Sequence, residues 1–141
     1  MNLRKKISNR LHGYAYEASN RIDVSRSAIL HNFDLLERTT KRQLIPVLKA
    51  NAYGHGVKEV ARILKARNFP YIAVDGYFEA LKIRRVSSQP VLIMGSIGRT
   101  NVNAVNHKSF AFVAYSKESL VTLSKSKAPV KVHLEINTGM N

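Results

Sequence analysis

Hydrophobic and polar positions follow two alternating periods along the chain. Continuous apolar runs stand at 44–48 (Leu-Ile-Pro-Val-Leu), 71–74 (Tyr-Ile-Ala-Val), 91–94 (Val-Leu-Ile-Met) and 110–114 (Phe-Ala-Phe-Val-Ala), and a last strand is read at 130–136. Their length and β-branched or aromatic content predict five strands. Helical spacing fills the gaps. Ser25 is placed as an N-cap, with Ala28, Ile29, Leu35 and Leu36 near one face of the following helix, which the basic turn from Thr39 to Gln43 ends. Val57, Val60, Ala61 and Leu64 form one apolar stripe, with Lys58, Arg62 and Lys65 on the other side and Phe69-Pro70 closing the segment. Further helices are expected over Tyr77 to Arg85, more weakly over Asn101 to Asn106, and from Lys117 to about Lys125, where Ser116 offers a cap.

Apolar strands alternating with amphipathic helices predict a parallel sheet covered on both faces, an α/β fold. With 141 residues, 45% of them hydrophobic, the chain is long enough for one domain with a real core. Residues 1–20 read as a basic N-terminal extension and 21–141 as the domain. The lead, with no acidic residue before Glu17, also has transit-peptide composition but lacks the apolar stretch of a secretory signal. No cysteine is present, which excludes disulfides and thiolate metal sites and fits a reducing compartment. No apolar run is long enough to span a bilayer.

The candidate chemistry lies where the first strand ends. Val47-Leu48 leads into Lys49-Ala-Asn-Ala-Tyr-Gly-His-Gly56, so one amine stands at the carboxyl end of a strand, where α/β proteins present ligand-binding groups. A primary amine there can form a Schiff base with an aldehyde such as pyridoxal phosphate. Ala50 and Ala52 keep bulk from a planar ring, Tyr53 offers a hydroxyl, and Gly54 and Gly56 permit close backbone approach. On position and charge alone, a strand-end lysine reads more often as a solvated cation.

This stretch resembles the pyridoxal-phosphate lysine motif of bacterial alanine racemases, which follows the first strand of a (β/α)8 barrel. The closing His133-Leu-Glu-Ile-Asn-Thr-Gly-Met-Asn141 is similar to a second segment of that family, and Glu79-Ala80 matches a pair after its second strand. The resemblance implies an α/β fold that is a partial (β/α)8 TIM barrel with about five of eight parallel strands. It further implies pyridoxal 5'-phosphate as cofactor, Lys49 as its Schiff-base lysine and one of two racemisation bases, Tyr53 on the cofactor phosphate, and Val47 and Met94 lining its pocket. His55 is expected in loop packing or behind the cofactor contacts. Glu135 stands where many family members have a carbamylated lysine that orients an arginine, and Asn137 where they have an aspartate.

The implied activity is interconversion of L- and D-alanine in the cytoplasm, supplying D-alanine for peptidoglycan, with serine or another small amino acid as alternative substrate. The chain is expected to be a truncated portion lacking that arginine and the second base. It is therefore expected to be inactive unless a homodimer or a complementing C-terminal half completes it. Two other readings stay open: a pyridoxal-phosphate-binding module without turnover, and a basic nucleic-acid-binding protein. The formal charge of +14 points to the last, but the basic residues are scattered from Arg4 to Lys131 without interleaved aromatics, which favours a solvated basic surface with no specific nucleic-acid partner. His12, His31, His55, His107 and His133 show no metal-ligand spacing, so no metal site is expected.

Overall fold

The structure, a computed structural model, describes residues 20–105 and 108–139. The expected N-terminal extension, apart from Asn20, lies outside the described residues, as do His12, His107 and the last two positions of the closing motif. Helix α1 (Arg26–Thr40) opens the fold, capped by Ser25, whose Oγ accepts from the Ala28 N–H at 3.2 Å. Helix α2 (Val57–Leu64) then leads to strand β1 (Ile72–Val74), helix α3 (Tyr77–Arg84), strands β2 (Val91–Ile93) and β3 (Phe110–Ala114), helix α4 (Lys117–Ser124) and strand β4 (Lys131–Leu134). The four strands are all parallel and lie in chain order β1-β2-β3-β4.

Alternation along the strands gives the sheet two unlike faces. Ile72, Val74, Val91, Ile93, Phe110 and Phe112 point towards the helices and pack with Val57, Val60, Ala61, Leu64, Ala80 and Ile83. The other face carries the row Ala73, Leu92 and Ala111, flanked by Tyr71, Met94 and Val113. That face is concave. Tyr71 precedes β1 and His133 lies on β4, yet their rings meet edge-on with centroids 5.0 Å apart. Across a flat sheet the outer strands would stand roughly 14 Å apart, at about 4.8 Å per step.

Four sequence expectations need correction. The strand expected at 44–48 shrinks to a single parallel bridge, Val47 to Ala73, held by Leu48 N–H to Ala73 O (2.8 Å) and Ala73 N–H to Pro46 O (2.9 Å). Pro46 has no N–H to extend the ladder, and the chain turns immediately after Leu48. The sheet therefore has four strands and a bridging residue rather than five strands. Where a helix is expected over 101–106, the described residues 101–105 form a series of turns and a bend, with Asn101 N–H to Gly98 O and Ala104 N–H to Asn101 O, both 2.9 Å, and Asn106 lies outside the described residues. Asparagine side chains compete with the helical ladder, and Asn103 Oδ1 accepts instead from the distant Lys127 N–H at 2.9 Å. Val102 and Val105 are still buried there and cover the sheet as a helix would.

In α1 the packed stripe is Ile29, Leu30 and Phe33, while Leu35 and Leu36 are exposed. Phe33 is fixed by Phe69, with ring centroids 6.0 Å apart. At 100° per residue Leu35 falls on the opposite side of the helix, and Leu36 lies a turn beyond that contact. Strand β4 is an edge, with Leu134 64% and Ile136 76% exposed, and of the run expected over 130–136 only Lys131–Leu134 is strand, followed by one further bond from Glu135 N–H to Ala114 O of β3.

Polar contacts at the amino end of the sheet tie the helices together. Arg67 donates from Nε and Nη2 to the two carboxylate oxygens of Asp34 in α1, both at 2.7 Å. Its carbonyl accepts from Gln89 Nε2 at 3.3 Å. The fork-to-fork geometry holds the Asp34 carboxyl below its usual pKa, chiefly through the Arg67 hydrogen bonds. Because the folded-state pKa is depressed, the pair stabilises the fold above the ordinary aspartate value of about 4, and that contribution is lost as pH falls through the lowered value. The melting temperature of Asp34→Asn should therefore lie below that of the unmodified chain at pH 7, with the gap closing in melts below about pH 4. In the core, Phe112 is almost wholly buried, and Phe112→Ala should lose about 3–5 kcal/mol in urea unfolding.

Candidate active site

Directly after the Val47 bridge the chain enters an unusual turn. Ala50, Asn51, Ala52 and Tyr53 all have φ between 50° and 57°, so Lys49–Tyr53 forms one left-handed helical turn. L-residues resist this region because Cβ crowds the following carbonyl, at roughly 1–2 kcal/mol each, or on the order of 4–8 kcal/mol for four in succession. The turn persists because its polar groups are answered. Ala52 N–H reaches Leu48 O at 3.0 Å, Gly54 N–H reaches Ala50 O at 3.2 Å, and Gly56 N–H reaches Asn51 O at 2.9 Å. Gly54 and Gly56, at φ 90° and 93°, let the chain leave the turn into α2. Asn51 Oδ1 accepts from the Val57 N–H at 3.1 Å and so caps α2 from outside the helix.

This turn presents Lys49 to an open cavity of about 520 Å³ at the carboxyl end of the sheet, lined also by Ala50, Asp75, Gly76, Phe78 and Glu79. Lys49 is half-buried and is the cation of the set, facing two carboxylates. Small residues on both sides, Ala50 and Gly76, leave room for a flat ring, and Phe78, 79% exposed, adds an apolar surface. A pyridoxal group fits this lining through its aldehyde and ring. Its phosphate would need donors from elsewhere, since a dianion is repelled by Asp75 and Glu79.

The other residues singled out from the sequence are not brought to this cavity. Tyr53 sits on the same turn but is 61% exposed. Val47 lies on the sheet edge, bridged to Ala73. Met94 packs on the concave face beside Ala73, Leu92 and Ala111. Glu135 is exposed after β4, its N–H donating to Ala114 O at 3.0 Å. His55 serves its own loop: its backbone N–H reaches Ala52 O at 3.0 Å, and Nδ1 lies 3.0 Å from the same oxygen. Among the described residues no three His, Asp or Glu side chains converge as metal ligands, and no helix is long and apolar enough to cross a membrane.

Glu79 is legible in the sequence only as part of a matched pair, yet its carboxylate reaches the Lys49 turn. Its Oε1 accepts from the Asn51 N–H at 3.3 Å and its Oε2 from the Asp75 N–H at 3.1 Å. The sequence signal is its place at the third position of α3 behind Gly76, a cap without a side chain.

Asn51→Ala removes both the cap on Val57 and a residue type tolerant of left-handed backbone. It should lower stability by about 1–2 kcal/mol in urea unfolding, and Asn51→Gly should recover the backbone share.

Comparison with known proteins matches residues 24–141 to the family model described as alanine racemase, N-terminal domain. Alanine racemase 2 of Caldanaerobacter subterraneus subsp. tengcongensis is 35% identical over 127 residues, covering 85% of this chain and 33% of that protein. The serine/alanine racemase of Enterococcus gallinarum is 31% identical over 122 residues, covering 84% and 18%. The chain thus spans a third or less of the length of these two curated relatives. Among solved structures, the alanine racemase of Oenococcus oeni superposes with a TM-score of 0.74 at 28% identity, over 86% of this chain and 35% of that one. The histidine racemase of Leuconostoc mesenteroides subsp. sake gives 0.74 at 27%, over 89% and 36%. The motif around Lys49, the parallel α/β sheet and a family match over most of the chain agree, and the chain belongs to the alanine racemase N-terminal domain family.

Proposed function

We propose that this chain is the cofactor-lysine portion of a pyridoxal-phosphate-dependent amino-acid racemase, with Lys49 as the amine that holds the cofactor. The observation that carries the reading is the left-handed turn that delivers Lys49 into a cavity with small lining residues at the carboxyl end of the sheet. Family membership supports it. The curved sheet is read as part of a (β/α)8 barrel. Alanine is the proposed substrate, in line with the named relatives, and D-alanine for the cell wall the proposed product, made in the cytoplasm.

When bound, pyridoxal phosphate acts as an electron sink that acidifies the α-C–H of an amino acid. The Lys49 amine is the proton carrier on one face of that carbon. Tyr53 is proposed as a donor to the phosphate, and Val47 and Met94 as apolar neighbours of the ring. Racemisation also needs a proton carrier on the opposite face. Among the described residues Lys49 is the one amine lining the cavity; a second subunit or a further polypeptide segment is proposed to supply the opposite proton carrier, and Glu135 is proposed to stand in for the family's carbamylated lysine.

Pyridoxal phosphate added to the purified chain should give a visible absorbance band that is missing in Lys49→Ala. Borohydride should trap the label on the peptide carrying Lys49. A band of equal size in the variant, or a label spread over surface lysines, would refute the assignment. Label on Lys49 without exchange of the alanine α-hydrogen in D2O would favour cofactor binding without turnover by this chain alone.

A further inference from the structure

We propose that Glu79 is a positioning residue for the Lys49 amine, a role that rests on the reading of Lys49 as the reactive group. Glu79 lines the cavity, and its carboxylate bridges two backbone amides on different elements. Oε1 takes the N–H of Asn51, inside the left-handed turn, and Oε2 takes the N–H of Asp75, in the loop that follows β1. Lys49 and Ala50 form one wall of the cavity, and Asp75 and Gly76 form another. Glu79 is therefore a clamp that fixes the distance between those walls.

Why a carboxylate is needed follows from the backbone. Sheet pairing reaches Leu48, whose N–H goes to Ala73 O, and stops there. Inside the turn Ala52 and Gly54 direct their N–H groups to carbonyls four residues back, but Asn51 does not. Its N–H is left pointing out of the turn towards α3, where a neutral acceptor would form a weaker bond than an ionised one. The partner amide belongs to Asp75, immediately before the Gly76 cap of α3. One glutamate thus serves as reach-back acceptor for its own helix and as anchor for a segment 28 residues away.

The consequence for the site is geometric. With the clamp made, the turn and the β1 loop move as one unit and the Lys49 stem leaves a fixed origin. Without it, among the described residues, backbone bonds tie the turn to the sheet through the Val47 bridge alone, by Leu48 N–H to Ala73 O and Ala73 N–H to Pro46 O. An amine that must meet an aldehyde and later an α-carbon is sensitive to displacements of this kind.

Hydrogen–deuterium exchange read by NMR tests the clamp on the unmodified protein and on Glu79→Gln, which keeps size and one acceptor but places an NH2 group against the other amide. In the unmodified protein the Asn51 and Asp75 amides should exchange about tenfold or more slowly than unstructured-chain rates. In Glu79→Gln one or both should exchange about tenfold or more faster, while core amides such as those of Ile93 and Phe112 keep their protection. The rate of pyridoxal-phosphate adduct formation at Lys49 should fall by about tenfold in step. Glu79→Asp, which keeps the charge on a stem too short to span both amides, should behave like Glu79→Gln.

Unprotected Asn51 and Asp75 amides in the unmodified protein overturn the proposal even if neither variant folds. Lost protection with an unchanged adduct rate also overturns it, because the clamp then does not position Lys49. Protected amides released by Glu79→Gln, with no adduct on Lys49 even in the unmodified chain, support the clamp and refute the cofactor reading instead.

Discussion

Four consecutive L-residues held in left-handed backbone are the constraint around which the carboxyl end of this molecule is arranged. Such a turn has no intrinsic stability and exists only while its surroundings hold it. Behind it, Leu48 is buried and bonded to β1; ahead of it, two glycines and the capped start of α2 take the chain away. To one side stands the glutamate of α3. Since each support comes from a different element, the lysine cannot keep its place unless β1, α2 and α3 are packed first. The position of the Lys49 amine is in this sense a readout of the whole amino-terminal half of the fold.

That packing is carried by the unlike faces of the sheet. Large residues, including Phe110, Phe112, Ile72 and Ile93, meet the helices, while the concave side is kept low by Ala73 and Ala111. Bulk on one side and small residues on the other let the sheet curl, which the contact between Tyr71 and His133 registers directly. At the amino end, the Asp34–Arg67 pair joins α1 to the connection between α2 and β1. The ionic anchor and the candidate chemistry therefore occupy opposite ends of the sheet.

Much of this was legible in the chain. The runs at 71–74, 91–94 and 110–114 gave their strands to within a residue, and the stripe Val57, Val60, Ala61 and Leu64 is buried in full. Both serine caps are present, Ser116 as part of a capping box. What failed did so where local pattern and tertiary context disagree. Pro46 truncated an apolar run that composition alone made a strand, and Asn101 and Asn103 interrupt a short helical period. Leu35 and Leu36 were apolar but had nothing to face. At the site, the lysine and its glycines could be read, whereas the left-handed turn could not, since Ala and Tyr do not announce positive φ. The Glu79 contacts were hidden because periodicity carries no information about a partner 28 residues away.

The order of the strands has a consequence for how the molecule is built. Spatial order repeats chain order, and each strand pairs with the one made just before it. A chain emerging from the ribosome can therefore add strands one at a time, closing only short loops at each step. The Lys49 turn would be complete as soon as α3 has been synthesised. From then on the unfinished part is always the newest edge, where β4 now leaves Leu134 and Ile136 in water. Assembly of this kind puts the candidate lysine in place early and leaves each newly added strand, β4 included, as an edge open to a neighbour.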